Sequence, residues 1–204
     1  MITPDIKKFN DTKIDTYPFP HIIVDNYIEP DIVYALNKSI YNTHNWELDV
    51  APGLAEVYFI KNYDGDYFDY FTSDNHIKAL FKKFNCGLPK TYYNNATLMV
   101  HKKNAELDIH TDCDEIAYEN RSKYFNTTIT KSLTQQLYLP DTDQYPETGV
   151  QLHKSYNDRT PLKQIKCLPG TYFAYPNNKI SWHGIPKQKT QFIRMSFISR
   201  TYWN

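Results

Sequence analysis

The chain has 204 residues, 41% of them hydrophobic and 23% charged, which suits one folded domain with a sizeable core. Lys plus Arg and Asp plus Glu each number 23, so the net charge is zero. That balance gives no overall attraction to a polyanion and disfavours a general nucleic-acid coat or a membrane-surface binder.

Aromatic residues make up 16% of the chain, with 18 Tyr, and suit strands better than helices. Six Gly and 12 Pro exclude collagen-like and low-complexity classes. The three cysteines, Cys86, Cys113 and Cys167, are odd in number and form no CxxC pair, which argues against a disulfide framework and a thiolate zinc site. The opening MITPDIKKFND lacks the apolar segment of a signal peptide, and the longest aliphatic run, Ile22-Ile23-Val24, is far short of a membrane span. The expectation is a soluble, cytoplasmic protein.

In chain order, residues 1–20 read as an extended, Pro-interrupted lead-in and Ile22 to Tyr27 as a short strand. A helix is predicted from Pro30, with Ile32, Val33, Leu36 and Ile40 at helical spacing. A second begins near Ser73 or Asp74, carries Ile77, Leu80, Phe81 and Phe84 on one stripe, and ends before Gly87 and Pro89. Residues 1–90 are thus expected to be mostly helical support. Beyond residue 90, short alternating or apolar runs lie at 96–101, 133–139, 149–153, 162–168, 171–175 and 192–202, separated by turn-rich segments. Helices followed by about eight short strands indicate an α+β, mainly β fold: a sandwich or barrel braced by N-terminal helices.

Of seven histidines, only His110 has an acid two positions on, in His110-Thr111-Asp112. On extended backbone residues i and i+2 share a face, so imidazole and carboxylate can converge on one cation. A third ligand must come from elsewhere, and His183 lies in Ser181-Trp182-His183-Gly184-Ile185-Pro186. Arg194 opens the alternating strand Arg194-Met195-Ser196-Phe197-Ile198, with Arg194, Ser196 and Ile198 on one face. An arginine in an otherwise apolar strand is costly unless paired, and a bound dicarboxylate would supply the partner a guanidinium fits.

At these residues the chain resembles the non-haem iron(II), 2-oxoglutarate-dependent oxygenases, in the prolyl 4-hydroxylase-like branch, over residues 18–203. Pro18-Phe19-Pro20-His21-Ile22-Ile23-Val24-Asp25-Asn26-Tyr27-Ile28 is similar to that branch's first strand. The resemblance implies a double-stranded β-helix (a cupin-like jelly roll) over residues 91–204, with helices packed on one sheet of a single domain. It further implies His110, Asp112 and His183 as iron(II) ligands, with Arg194 and the Tyr138 of Gln136-Leu137-Tyr138-Leu139-Pro140 on the far carboxylate of 2-oxoglutarate. Ser196 is a further candidate for that carboxylate. Thr148-Gly149-Val150-Gln151-Leu152 stands where the family usually has GGxL, and His101 and Asn104 stand where Tyr and Gly are usual. His101 is read either as lining the 2-oxoglutarate pocket or as a hydrogen-bonded strand histidine.

Two imidazoles and one carboxylate leave positions open on a metal, the arrangement of iron(II) oxygenases rather than of closed zinc sites. The implied reaction consumes 2-oxoglutarate and dioxygen, releases succinate and carbon dioxide, and hydroxylates an unactivated C–H bond, with ascorbate as an accessory reductant. Because Asp112 is a carboxylate where halogenating members carry a small residue, hydroxylation is expected. The substrate is expected to be a prolyl or other amino-acid or peptide group, contacted by loops around Tyr92, Tyr93, Asn104, Glu115–Tyr124 and Arg200. A membrane partner is not expected.

Two other readings compete. His110-Thr111-Asp112-Cys113-Asp114-Glu115 and the spacing from Arg194 to Arg200 resemble AlkB-type nucleic-acid demethylases, in which Arg200 would contact a damaged base. The alternative is a jelly-roll binding protein without turnover, which the intact set of ligands argues against. His21, His44, His76 and His153 are read as structural or surface residues, Cys113 as a small buried filler and Trp182 as packing.

Overall fold

The computed structural model describes residues 2–43, 45–49, 57–61, 66–113, 115–189 and 192–204; His44 and Asp114 lie outside them. In chain order the elements are helix α1 (Ile6–Asp11), strand β1 (Ile22–Val24), helix α2 (Pro30–Thr43) and strands β2 (Glu47–Asp49) and β3 (Val57–Lys61). Helices α3 (Asp69–Thr72) and α4 (Asp74–Lys83) follow, then strands β4 (Tyr93–His101) and β5 (Leu107–His110) and helix α5 (Glu115–Phe125). Strands β6 (Lys131–Tyr138), β7 (Gln151–Leu152), β8 (Lys163–Gln164), β9 (Tyr172–Asn177), β10 (His183–Ile185) and β11 (Arg194–Trp203) complete the chain, with a 3-10 turn at Pro146–Thr148 between β6 and β7.

These strands form two antiparallel sheets, one of seven strands ordered β1-β9-β6-β11-β4-β3-β2 and one of four ordered β5-β10-β7-β8. The centre of the large sheet is β11, paired with β4 from Arg194↔His101 to Tyr202↔Tyr93 and with β6 from Ser196↔Tyr138 to Trp203↔Lys131. Alternation divides its side chains between two layers. Met195, Phe197 and Trp203 join Leu98, Val100, Leu133, Leu137 and Tyr172 in a core shared with Phe9, Val33, Leu36, Ile40, Phe71, Ile77, Leu80 and Phe81 of the helices. A second core, between the sheets, is built from Tyr138, Val150, Leu152, Ile165, Phe173, Tyr175 and Ile185.

The expected helices form, with local reasons. Pro30 starts α2, where a missing N–H costs nothing. Ser73 caps α4 by accepting from His76 N at 3.4 Å, and Lys82 and Lys83 sit at its C-terminal end, where the dipole favours cations. Lys83 Nζ also donates to the Phe9 and Asn10 carbonyls, tying α4 to α1.

Four expectations need correction. The lead-in contains α1, capped by Asp5 and burying only Phe9, too short to show a helical period. Residues 1–90 contribute three strands of the large sheet, β1, β2 and β3, of which the last two fall where helical support was expected. Ile32 is exposed, and the polar residue Asn37 takes the buried position on α2, donating to the Leu139 carbonyl. The stretch 115–125, expected as loop, is the helix α5, whose sequence EIAYENRSKYF has no apolar stripe to reveal it.

His76 lies in the helix–sheet core, with Nε2 3.0 Å from Gln135 Oε1 and 3.2 Å from the Tyr172 hydroxyl. Burial pushes its pKa down to about 4. The folded protein therefore keeps His76 neutral while the unfolded chain takes up a proton near 6.5, so its effect on stability is lost as pH falls from about 6.5 towards 4. In His76→Gln, which retains a polar partner for Gln135, the fall in unfolding free energy between pH 7 and pH 5 should be smaller than in the parent by about 2 kcal/mol. Denaturant titrations at the two pH values measure this; equal falls in both proteins would contradict it.

Candidate metal and cosubstrate site

The two histidines of the expected triad are brought together by the small sheet. His110 ends β5, His183 begins β10, and the two are register partners with ring centroids 4.3 Å apart. A Cβ on Gly184 would stand 2.9 Å from the Leu107 carbonyl oxygen, so glycine after His183 lets β10 approach β5 this closely. Asp112, at a bend two residues past the end of β5, reaches the same side. His110 Nε2 lies 3.7 Å from Asp112 Oδ1 and His183 Nε2 lies 3.8 Å from Oδ2. One ligand atom from each of the three residues falls within 4.8 Å of the others, a spacing able to hold a metal ion.

The tautomers are set for that task. His110 Nδ1 donates to the Asp108 carbonyl at 2.8 Å and His183 Nδ1 donates to the Ser181 carbonyl at 2.9 Å, which leaves both Nε2 lone pairs facing Asp112. Burial, and then the nearby His110 ring, push His183 down to about 4, so it stays neutral. For His110, burial opposes charge, but Asp112 outweighs it and raises the pKa. Burial would raise Asp112; the Arg200 guanidinium and the two imidazoles override it and hold the carboxyl well below its usual range.

Asp112 is held from three sides. Arg200 donates from Nε to Oδ2 and from Nη2 to Oδ1, both at 3.2 Å. Thr134 Oγ1 stands 3.3 Å and the Tyr175 hydroxyl 3.4 Å from Oδ2, and that hydroxyl also lies 3.0 Å from His183 Nε2. Arg200, expected at the substrate, here braces the triad's carboxylate.

Arg194 is fully buried towards the opposite end of the same face of β11. Its Nε donates to the Thr148 carbonyl at 2.8 Å, its Nη1 donates to His101 Nδ1 at 2.9 Å, and its Cζ lies 5.2 Å from the centre of the Tyr138 ring. Burial and the adjacent guanidinium hold His101 well below its usual pKa, which suits a neutral acceptor. Tyr138 accepts from Val150 N at 2.9 Å, and burial raises its pKa to about 12. Gly149 makes this corner possible, because a Cβ there would stand 1.9 Å from the Ile165 carbonyl oxygen.

Arg194 Nη2 and Ser196 Oγ are buried without a partner. Two unsatisfied donors beside a buried cation fit an incoming carboxylate. A triad able to hold a metal and a cation with open donors thus share one interior, and the residues present fit iron(II) and 2-oxoglutarate.

The remaining expected contacts fall elsewhere. Tyr92, just before β4, turns to the helix layer, where its hydroxyl donates to Asp74 and its ring packs on Phe81. Tyr93 stacks on Phe125 of α5, ring centroids 4.8 Å apart. Asn104 is exposed in a turn at φ 70°, a backbone that explains why it can replace glycine, and its N–H donates to the Gln188 carbonyl. Glu115 is exposed at the start of α5. His153 is held by its own loop, with Nδ1 2.9 Å from the Asp158 carbonyl, and Cys113 is half-buried rather than a buried filler. Thr134, Gln136 and Tyr175 were not singled out in the sequence. Thr134 and Gln136 could have been found from Tyr138 alone, since all three alternate along β6.

No family model matches the sequence, and no curated protein matches it. Solved structures do. A prolyl-4-hydroxylase from Pseudomonas putida is 13% identical, with a TM-score of 0.65 over 98% of this chain and 97% of the other. HygX from Streptomyces hygroscopicus, solved with nickel and 2-oxoglutarate, is 12% identical, with a TM-score of 0.61 over 97% and 85%. The viral collagen prolyl hydroxylase of Paramecium Bursaria Chlorella virus-1, solved as a 2-oxoglutarate complex, is 13% identical, with a TM-score of 0.56 over 89% and 94%. Among the described residues no helix is long and apolar enough to cross a membrane. The chain has the mainly β fold of the 2-oxoglutarate- and iron(II)-dependent oxygenases, prolyl 4-hydroxylases among them.

Proposed function

We propose that the protein is an iron(II)- and 2-oxoglutarate-dependent oxygenase that hydroxylates an unactivated C–H bond of a prolyl or other amino-acid or peptide substrate. The observation that carries this reading is the shared interior: His110, Asp112 and His183 converge at one end, and Arg194 keeps an open donor at the other. The two-sheet arrangement supports a jelly roll around that interior.

His110 Nε2, His183 Nε2 and one oxygen of Asp112 would hold the metal, while Arg194 Nη2, Ser196 Oγ and Tyr138 would receive the far carboxylate of 2-oxoglutarate. Bound iron(II), 2-oxoglutarate and dioxygen supply the oxidising power, with succinate and carbon dioxide as coproducts. The protein's part is orientation and exclusion of water. Arg200 and Thr134 fix the Asp112 carboxylate, and the carbonyls of Asp108 and Ser181 fix the two imidazoles.

Metal binding is tested by thermal unfolding with manganese(II), which does not turn over. At a hundred times its dissociation constant the ion should stabilise the fold by about 2.7 kcal/mol, and Asp112→Ala should abolish the gain. A shift that persists in Asp112→Ala would remove Asp112 from the ligand set.

Turnover is tested by succinate formation with iron(II) over proline-containing peptides, free amino acids and methylated oligonucleotides, with mass spectrometry of each substrate. A gain of one oxygen on a peptide or amino acid is expected; loss of methyl from an oligonucleotide, or no succinate with any substrate, would overturn the reading. Arg194→Met should raise the Michaelis constant for 2-oxoglutarate about ten- to a hundredfold by removing a charge-assisted contact, with manganese(II) affinity unchanged.

A further inference from the structure

We propose that the carboxamide of Gln136 binds the cosubstrate, its Nε2 donating to the C1 carboxylate of 2-oxoglutarate. The proposal rests on the oxygenase reading above and adds a contact which that reading lacks. Gln136 is 5% exposed and its Nε2 is buried without a partner. A buried amide donor is ordinarily satisfied, so an open one in a strand interior points to an absent acceptor.

Alternation settles where the side chain points. On β6, Thr134 reaches Asp112 and Tyr138 lies against Arg194, so Gln136 between them faces the same interior. The residues at odd positions, Leu133, Gln135 and Leu137, belong to the helix side, where Gln135 meets His76 and the Phe71 carbonyl. Gln136 is paired across the sheet with Ile198 on β11 and Phe173 on β9. Neither has a side-chain oxygen, so the flanking walls offer Nε2 no acceptor. Along β11, Ile198 lies between Ser196 and Arg200 on the interior face, so Gln136 stands between the open donors at Arg194 and the carboxylate held by Arg200.

Two residues of strand rise roughly 6.6 Å, about the reach of a five-carbon diacid. In 2-oxoglutarate the oxygens lie at the two ends, with methylenes between. The far carboxylate is already served by Arg194 Nη2 and Ser196 Oγ. The acceptor for Gln136 would therefore lie at the metal-facing end, which carries the C1 carboxylate.

The test is calorimetric titration of the manganese(II)-loaded full chain, in which no turnover occurs. Gln136→Leu removes the donor at nearly constant shape, and Gln136→Asn keeps an amide but withdraws it. Both should weaken 2-oxoglutarate about tenfold and leave manganese(II) affinity unchanged. The second ligand is 4-oxopentanoate, which has a methyl group in place of the C1 carboxylate and is followed at millimolar concentration. Its affinity should be the same in parent and variants, whereas Arg194→Met should weaken both ligands. Unchanged 2-oxoglutarate affinity in Gln136→Leu, or equal losses for the two ligands, would overturn the assignment to the C1 carboxylate. Absence of 2-oxoglutarate binding to the parent protein would instead overturn the oxygenase reading itself.

Discussion

A guanidinium carried into the dry interior of a β-sheet is the constraint around which this structure is organised. Arg194 is fully buried at the start of the central strand, where leaving a charge unpaired is costly. Its surroundings are accordingly specialised: a backbone carbonyl from Thr148, a neutral imidazole from His101 and the face of Tyr138. None of these carries a negative charge. The cation is solvated by dipoles and a ring, and one nitrogen stays open. Such a site is poised for an anion in a way that a closed ion pair would not be.

The opposite end inverts the polarity. There a carboxylate, Asp112, is surrounded by donors, with the imidazoles of His110 and His183 beside it. A ligand bridging the two ends needs an anionic tail and a head that chelates a metal, and 2-oxoglutarate has both. Under the proposed function, selection of 2-oxoglutarate would rest on these separated, complementary electrostatics on one sheet.

Much of this was legible in the sequence, and the failures have physical causes. The pairing of His110 with Asp112 is local, because only one residue separates them in the chain. Arg194 was legible because a charge in an apolar strand demands a partner. Register across strands was not legible, so the bracing of Asp112 by Arg200, 88 positions away, emerged only from the fold. Tyr92 and Tyr93 could not be sorted until the phase of β4 was known, since a shift of one residue exchanges the faces. The helix α5 escaped because its sequence lacks a stripe, and β2 and β3 fell in a region read by its helices alone.

The double duty of β11 has a wider consequence. Its even-numbered residues 194 to 200 face the interior that holds Arg194 and the His110–Asp112–His183 cluster, while Met195 and Phe197 join the aromatic core beneath the helices. A slip of one position would drive two guanidinium groups into hydrocarbon and empty thioether and phenyl groups into the polar chamber. The two guanidinium groups on the interior face thereby also index the strand against its neighbours, so pairing the sheet and placing its buried charges are a single event.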